Sequence, residues 1–385
     1  MKPDLQQKFN DLFSQQATGN FFAPGRVNLI GEHIDYNGGL VLPCSITFGT
    51  NLLIAENKEG IFRFRSMNFD EQLDIPLQDA YTKNGSSWFN YPLGVMQQFL
   101  LNQKQLKGLD MLFYGDVPVG SGLSSSASIE VVTAFALNET FHAGFSKLDL
   151  VKFSKKVEND FIGVNSGIMD QFAVAFGEKE KAIKLNCDTL DYQIVDCKLK
   201  EYVLAIINSN KPRKLSESKY NERVEECQTA LKALNKELQI AYLCAIDTAT
   251  FNKNEHLIEN ETVKKRARHV IEENDRVKEA TIVLDNGDLK RFGELLYASH
   301  ASLKDLYEVT GQELDTIVEF CKTQQTVAGA RMTGAGFGGC AIALVKQNAF
   351  DDFSKNLIQY YTEKVGYECA VYNSLIGDGV KEVSL

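Results

Sequence analysis

Gly115-Asp116-Val117-Pro118-Val119-Gly120-Ser121-Gly122-Leu123-Ser124-Ser125-Ser126-Ala127-Ser128 runs directly into an apolar segment at residues 129–141. Glycines and small hydroxyl residues that open a helix leave backbone N–H groups converging on one spot, where the helix dipole favours an anion. The serine hydroxyls add oxygens suited to Mg²⁺ bridging two phosphates. No Gly-Lys-Ser/Thr occurs in the segment, so it is not a Walker A loop. The same residues also fit a flexible loop with a serine N-cap.

A second glycine cluster, Gly334-Ala335-Gly336-Phe337-Gly338-Gly339, formally satisfies the G-x-G-x-x-G pattern. A dinucleotide site requires a helix to follow, whereas Cys340-Ala341-Ile342-Ala343-Leu344-Val345 reads as a strand. A Rossmann site is therefore excluded. A tight turn beside a nucleotide loop, or a purely structural turn, remains.

Nearer the N-terminus, residues 25–39 (Gly25-Arg-Val-Asn-Leu-Ile-Gly-Glu-His-Ile-Asp-Tyr-Asn-Gly-Gly39) place Arg26, Glu32, His33 and Asp35 beside Val27, Leu29 and Ile30. Such polar density suits a sugar, because carboxylates accept hydroxyl protons in fixed geometry. A solvated turn after a strand accounts for it too. Glu32-His33 lacks the H-E-x-x-H pattern, and His142, His256, His269 and His300 form no cluster with it, so zinc is not indicated. A third segment, Glu158 to Phe172, sets Asp170 among Ile168, Met169 and Phe172. An unpaired buried carboxylate is costly, so it is either paired or functional. Asp170 fits a proton acceptor or a helix N-cap; Glu158 fits a Mg²⁺ ligand or a surface ion pair.

The chain has 385 residues, which favours two domains over one core. Hydrophobic residues at 44% and charged residues at 24% are the balance of a globular protein. Residues 41–53 are the type of its longest apolar runs, too short and too polar to span a bilayer. The N-terminal residues lack the apolar core of a signal peptide, giving a cytoplasmic expectation. Eight cysteines without a C-x-x-C pair read as reduced, mostly buried thiols. A net charge of −10 argues against nucleic-acid binding and leaves local dipoles and a metal ion to hold any nucleotide. Alternation at residues 61–65 predicts a strand with Phe62 and Phe64 on one face, and residues 41–54 predict one or two more. Residues 203–207 read as a buried strand, and residues 216–322 shift to helix-favouring Glu, Lys, Ala and Leu. A domain boundary is expected near residues 180–200.

Taken together, these segments resemble the galactokinases, within the larger kinase family that also holds homoserine, mevalonate and phosphomevalonate kinases. The resemblance rests on Gly25 to Tyr36, on Gly122-Leu-Ser-Ser-Ser-Ala127 and on Gly329-Ala-Arg-Met-Thr-Gly-Ala-Gly-Phe-Gly-Gly-Cys340. Lesser matches are Trp88-Phe-Asn-Tyr91, Gly167-Ile-Met-Asp-Gln171 and His300-Ala-Ser-Leu-Lys-Asp305. They keep the family's order over residues 22–345. One departure is Ala335, where the family commonly has a glycine; alanine disfavours positive φ.

The resemblance implies phosphorylation of the anomeric hydroxyl of galactose, with ATP as co-substrate and Mg²⁺ as cofactor. It implies Asp170 as catalytic carboxylate with Arg26 as its partner, and Glu32, His33, Asp35, Gly167 and Tyr220 as the sugar-binding set. Tyr220 enters through Ser216-Glu-Ser-Lys-Tyr220. Gly120, Ser121, Gly122, Leu123, Ser124, Ser125 and Ser126 correspond to the phosphate cradle, Trp88 and Tyr91 to residues near adenine, and Ser126 and Glu158 to Mg²⁺ ligands. The fold implied is α+β with two domains and the active site between them. Residues 1–190 form the sugar- and phosphate-binding domain, resembling a ribosomal-protein module. Residues 191–385 form a helix-rich domain resembling a ferredoxin-like layer. A monomer is implied, with no nucleic-acid or membrane partner. The rival readings are another sugar 1-kinase, acting on N-acetylgalactosamine or arabinose, a non-catalytic sugar sensor on the same fold, and a mevalonate-type kinase. The complete Ser124-Ser125-Ser126-Ala127 loop and Asp170 favour an enzyme over the sensor.

Overall fold

Phe62 and Phe64 are fully buried in the strand Ile61–Ser66, while Arg63 and Arg65 alternate to its other face. That strand lies in a six-stranded sheet ordered Lys381–Glu382, Gly19–Asn28, Pro43–Glu56, Leu109–Gly115, Ile61–Ser66, Leu73–Pro76. All neighbours are antiparallel except Ile61–Ser66 and Leu109–Gly115, which run parallel. This computed structural model describes residues 3–118, 122–164, 166–211 and 216–385.

The long strand Pro43–Glu56 shows how period-2 alternation builds two layers. Leu52 and Ile54 face a core shared with the helices Asn90–Leu101, Ser125–Thr140 and Met169–Phe176. Leu53 and Ala55 face the opposite way, against Phe9 and Phe13 of the N-terminal helix Leu5–Phe13. Residues 41–54, read as one or two strands, form Leu40–Val41 and Pro43–Glu56.

The second sheet is antiparallel throughout, ordered Val327–Thr333, Cys340–Lys346, Tyr202–Asn208, Ala370–Ser374. In chain order its strands are the second, third, first and fourth, the ferredoxin-like arrangement, with the helices Ser216–Leu234, Thr248–Asn254, Glu261–Asp285, Leu289–Ser302 and Gly311–Thr323 inserted after the first. The strand read at residues 203–207 and the helical reading of 216–322 both match. The fold is therefore two-domain α+β. A small third sheet joins Leu40–Val41, from within the first sheet's stretch of chain, to Lys181–Asn186 and Tyr192–Asp196.

Val27, Leu29, Ile30 and Ile34 are fully buried in the same core as Ile206, Leu344 and Val277 of the second half. The residues 25–39 segment is thus a seam between the two sheets. The last strand, Lys381–Glu382, returns to pair with Phe21 and Phe22. The eight cysteines, all among the described residues, form no disulfide, and six of them are buried. Among the described residues, no helix is long and apolar enough to cross a membrane.

Candidate active site

A register shift between Pro24 and Arg26 breaks the pairing of Gly19–Asn28 with Pro43–Glu56. Bulges of this kind re-aim a side chain. Here a Cβ on Gly25 would stand 2.6 Å from the Leu123 carbonyl oxygen, so only glycine permits the approach. The Arg26 N–H donates to that carbonyl at 3.2 Å, and the Arg26 side chain turns into the cleft. Its Nε and Nη2 donate to the two Asp170 oxygens at 2.8 and 2.6 Å, and its Nη1 donates to the Gly122 carbonyl at 2.9 Å. Asp170 sits in the first turn of Met169–Phe176, whose N-cap is Ile168. It is therefore not itself the N-cap. Ser124, the N-cap of Ser125–Thr140 with φ +62°, makes no side-chain cap. Its hydroxyl donates instead to Asp170 Oδ2 at 2.5 Å. The helix start thus offers its N–H groups and dipole to the cleft. Gly120 and Ser121 lie outside the described residues.

Ser126 donates to Glu158 Oε1 at 2.6 Å. Glu158 follows the helix Lys147–Lys156 on a π-helical turn, Val157–Ile162, of the kind often found at functional sites. It is buried and hydrogen-bonded, which excludes a surface ion pair for it. Its second oxygen accepts from Ser166 and, at 2.8 Å, from Gln171 Nε2. Behind it, burial and then the nearby Glu158 push the Glu130 carboxyl well above its ordinary range. Hard hydroxyl and carboxylate oxygens side by side suit Mg²⁺, which usually takes one or two carboxylates and completes its shell with phosphates and water. Among the described residues no group of three His, Cys, Asp or Glu could hold a metal alone. An ion here would share its coordination with phosphate.

On the other side of Asp170, a Cβ on Gly167 would stand 3.1 Å from Asp35 Oδ2. Burial first, then Glu32, raises the Asp35 carboxyl to about 6. Glu32 Oε1 accepts from the Thr333 hydroxyl at 3.1 Å and the Gly334 N–H at 2.8 Å. His33 adopts φ +63°, and its ring lies 5.5 Å from that of Tyr220. Burial, then His269, lowers its pKa to about 3. Its Nδ1 meets the Tyr36 hydroxyl at 2.9 Å and its Nε2 the Ala335 carbonyl at 3.1 Å, so both ring nitrogens are taken by protein atoms.

Trp88 and Tyr91 line an apolar recess with Phe69, Phe113, Val117 and Ile129. Ser125 and Ser126 line both this recess and a cleft with Arg26, Asp170 and the glycine cluster Gly334 to Gly339. In that cluster Gly334, Gly336, Phe337, Gly338 and Gly339 have positive φ, and Ala335 does not. The alanine therefore sits where no glycine is required.

Sequence reasoning gave no role to Gln171, Glu130, Arg331 or Glu273. Arg331 donates to the Leu29 carbonyl at 3.0 Å, and Glu273 Oε1 accepts from the Gly31 N–H at 3.0 Å and the Ser299 hydroxyl at 2.6 Å. Despite its burial, Arg276 and the neighbouring His269 hold Glu273 down to about 2. Arg331 and Gln171 lay inside quoted motifs; Glu273, in a helix of ordinary composition, carried no signal.

Three family models match in chain order: the galactokinase galactose-binding signature at residues 7–56, the GHMP kinases N terminal domain at 90–178 and the GHMP kinases C terminal model at 278–362. The galactokinase of Clostridium tetani is 47% identical over 381 residues, 99% of this chain and 97% of that protein. That of Enterococcus faecalis is 47% identical over 386 residues, covering all of both. Lactococcus lactis galactokinase, solved as a complex with galactose, superposes with a TM-score of 0.92 at 47% identity, covering 98% of this chain and 99% of that one. Full-length relatives at that identity, joined to a cleft built from the same three motifs, place the chain in the galactokinase family of the GHMP kinases.

Proposed function

We propose that this chain transfers the γ-phosphoryl group of ATP to the anomeric hydroxyl of galactose, giving galactose 1-phosphate and ADP. The observation that carries the reading is the Asp170 carboxylate, gripped by Nε and Nη2 of Arg26 and by the Ser124 hydroxyl where the cleft opens. Phosphoryl transfer asks a protein for positioning and charge stabilisation more than for covalent chemistry.

In this reading Asp170 accepts the proton of the anomeric hydroxyl as its oxygen bonds to the γ-phosphorus and the bond to the departing ADP oxygen breaks. Arg26 holds Asp170 in place and stabilises charge on the moving phosphoryl group. Asp35, Glu32, Gly167, Tyr220 and His33 form the sugar pocket: Asp35 accepts sugar hydroxyls, Gly167 leaves room for them, and the His33 ring contributes a wall. The loop from Gly120 to Ser126 cradles phosphate at the helix start, and Trp88 and Tyr91 flank adenine. Ser126 and Glu158 would hold Mg²⁺, which when bound neutralises phosphate charge. Domains of residues 1–190 and 191–385, with the final strand rejoining the first, a monomeric state and a cytoplasmic setting, where thiols stay reduced, complete the proposal.

The test is sugar-dependent ADP release with MgATP and a panel of galactose, glucose, N-acetylgalactosamine, arabinose and mevalonate. Turnover strongest on galactose is expected. Strongest turnover on another member would move the substrate, and silence from folded, galactose-binding protein would overturn the enzyme reading.

A further inference from the structure

Beyond the cleft, a run of buried and half-buried hydroxyl, thiol and imidazole groups reaches the glycine cluster. Cys227, on the helix Ser216–Leu234, lies 3.1 Å from the Tyr307 hydroxyl. Tyr307 lies 2.8 Å from the Tyr36 hydroxyl, which lies 2.9 Å from His33 Nδ1. His33 Nε2 ends the run at the Ala335 carbonyl, 3.1 Å away.

One member fixes the direction of all the others. A carbonyl only accepts, so His33 Nε2 carries the proton. In the neutral ring Nδ1 is then an acceptor. Tyr36 must donate to it, Tyr307 must donate to Tyr36, and the Cys227 thiol is left to donate to Tyr307. Each group has one proton for this run and spends it toward Ala335. Cys227, Tyr307 and His33 are all buried, where an unmade hydrogen bond is costly.

The far end of the run is anchored. Arg223 Nε donates to the Tyr307 carbonyl at 2.7 Å and Arg266 Nη1 to the Leu306 carbonyl at 2.5 Å. The same turn grips the glycine cluster a second time, because the Phe337 N–H donates to the Val309 carbonyl at 2.7 Å. With Gly334 N–H held by Glu32, the cluster is pinned at residues 334, 335 and 337 while it lines the cleft with Ser124, Ser125 and Ser126.

We propose that Tyr307 and Cys227 are positioning residues for phosphoryl transfer, acting through Tyr36 and His33 to hold the Ala335 carbonyl, and with it residues 334–339, against the phosphate cleft. The proposal rests on the kinase reading above. It assigns to two residues with no place in the sugar or nucleotide sites an effect on the nucleotide side of the reaction.

Tyr307→Phe keeps the ring and removes the link. The expected result is a rise in KM for ATP of roughly five- to tenfold, about one hydrogen bond, with a fall in kcat. Galactose affinity measured without nucleotide falls less than nucleotide affinity, because Asp35 and Glu32 keep their own contacts and His33, whose ring nitrogens are both taken by protein atoms, serves the sugar only as a wall. Hydrogen exchange at residues 334–339 speeds up, a readout that general loosening would spread across the chain. Cys227→Ser retains a donor and should behave like wild type, whereas Cys227→Ala should shift in the direction of Tyr307→Phe. An unchanged KM for ATP with unchanged exchange at 334–339, or a parallel loss of galactose affinity, overturns the proposal. If Tyr307→Phe does not fold, the cysteine pair decides: equal behaviour of Ala and Ser overturns it. Exchange is read without turnover, so an inactive wild type would strike the kinase reading and leave this test standing.

Discussion

Asp170 and Asp35 lie near enough for one carboxylate to feel the other's charge, yet the protein treats the two in opposite ways. Asp170 has a guanidinium on both oxygens and a serine hydroxyl besides. Asp35 faces burial and two other acids, Glu32 and Asp170, and its carboxyl rises to about 6. One corner is complete before any ligand arrives. The other sets backbone N–H groups of Asp35 and Tyr36 against two acids, and in the proposed reading sugar hydroxyls add further donors. In the proposed reading, local charge, not residue type, separates the reacting carboxylate from the recognising one.

The hardest test of this contrast is Asp170→Asn. The amide keeps the shape, loses the basic oxygen and leaves buried Arg26 without its charge partner. Turnover is expected to drop by roughly 10²–10⁴-fold, the usual worth of a positioned base. Nucleotide affinity should remain within about threefold, since Asp170 is placed on the sugar side. Turnover close to wild type would remove Asp170 from the chemistry.

Asp35→Asn should act differently, on binding and on pH. Losing charge-assisted bonds to the sugar should weaken galactose affinity by roughly 10- to 100-fold. In the wild type, affinity should rise from pH 5 to pH 7 as the carboxyl ionises near 6, and this dependence should vanish in the variant. Stability without ligand should follow the reverse sense. The native carboxyl holds its proton up to about 6, against an ordinary value of 3.8, so the native state binds more protons in that window and stability falls as pH rises through it. The Asp35→Asn protein should therefore melt above wild type at pH 8, with the gap closing toward pH 4. A pH-independent galactose affinity in the wild type would show that the two corners do not differ as described.

A milder contrast sets the recess at Trp88 against the sugar corner. Trp88→Ala should raise KM for ATP by roughly five- to tenfold, the worth of an aromatic contact, and leave galactose affinity unchanged. The chain has one tryptophan, so nucleotide titration followed by its emission reads the site directly. An effect on galactose but not on ATP would relocate the nucleotide.

How much of this was legible depended on how far apart in the chain the partners lie. The cluster from Arg26 to Asp35 and the serine loop are contiguous, and their residue types announce polar recognition and a phosphate cradle. Arg26 and Asp170 are 144 residues apart, and resemblance, not periodicity, joined them. The helix Lys147–Lys156 passes into a widened π turn that presents Glu158 to Ser126; no periodicity encodes that extra residue per turn. Glu273 and Tyr307 were silent, and Arg331, though inside a quoted motif, was given no role, because their work is tertiary: each satisfies a backbone or side-chain group hundreds of residues away in the seam. The first 13 residues gave no hint that Phe9 and Phe13 would cover the outer face of a sheet.

Ala335 supplies the smallest expected effect. From sequence alone it was the one misfit in the glycine cluster, since alanine resists positive φ. Its neighbours Gly334 and Gly336 take φ +85° and +77°, while Ala335 itself stays out of that region. Ala335→Gly therefore relieves no strain and frees one residue of a loop that is pinned on both sides. Its carbonyl still meets His33, because the bond is made by the backbone. The expected change is a slight loss of thermal stability, under about 1 kcal/mol from the added chain entropy, with kcat and KM for ATP within about twofold of wild type. A severalfold gain in activity would mean that the alanine holds the cluster away from its best geometry, and the nucleotide corner would then be the less finished of the two.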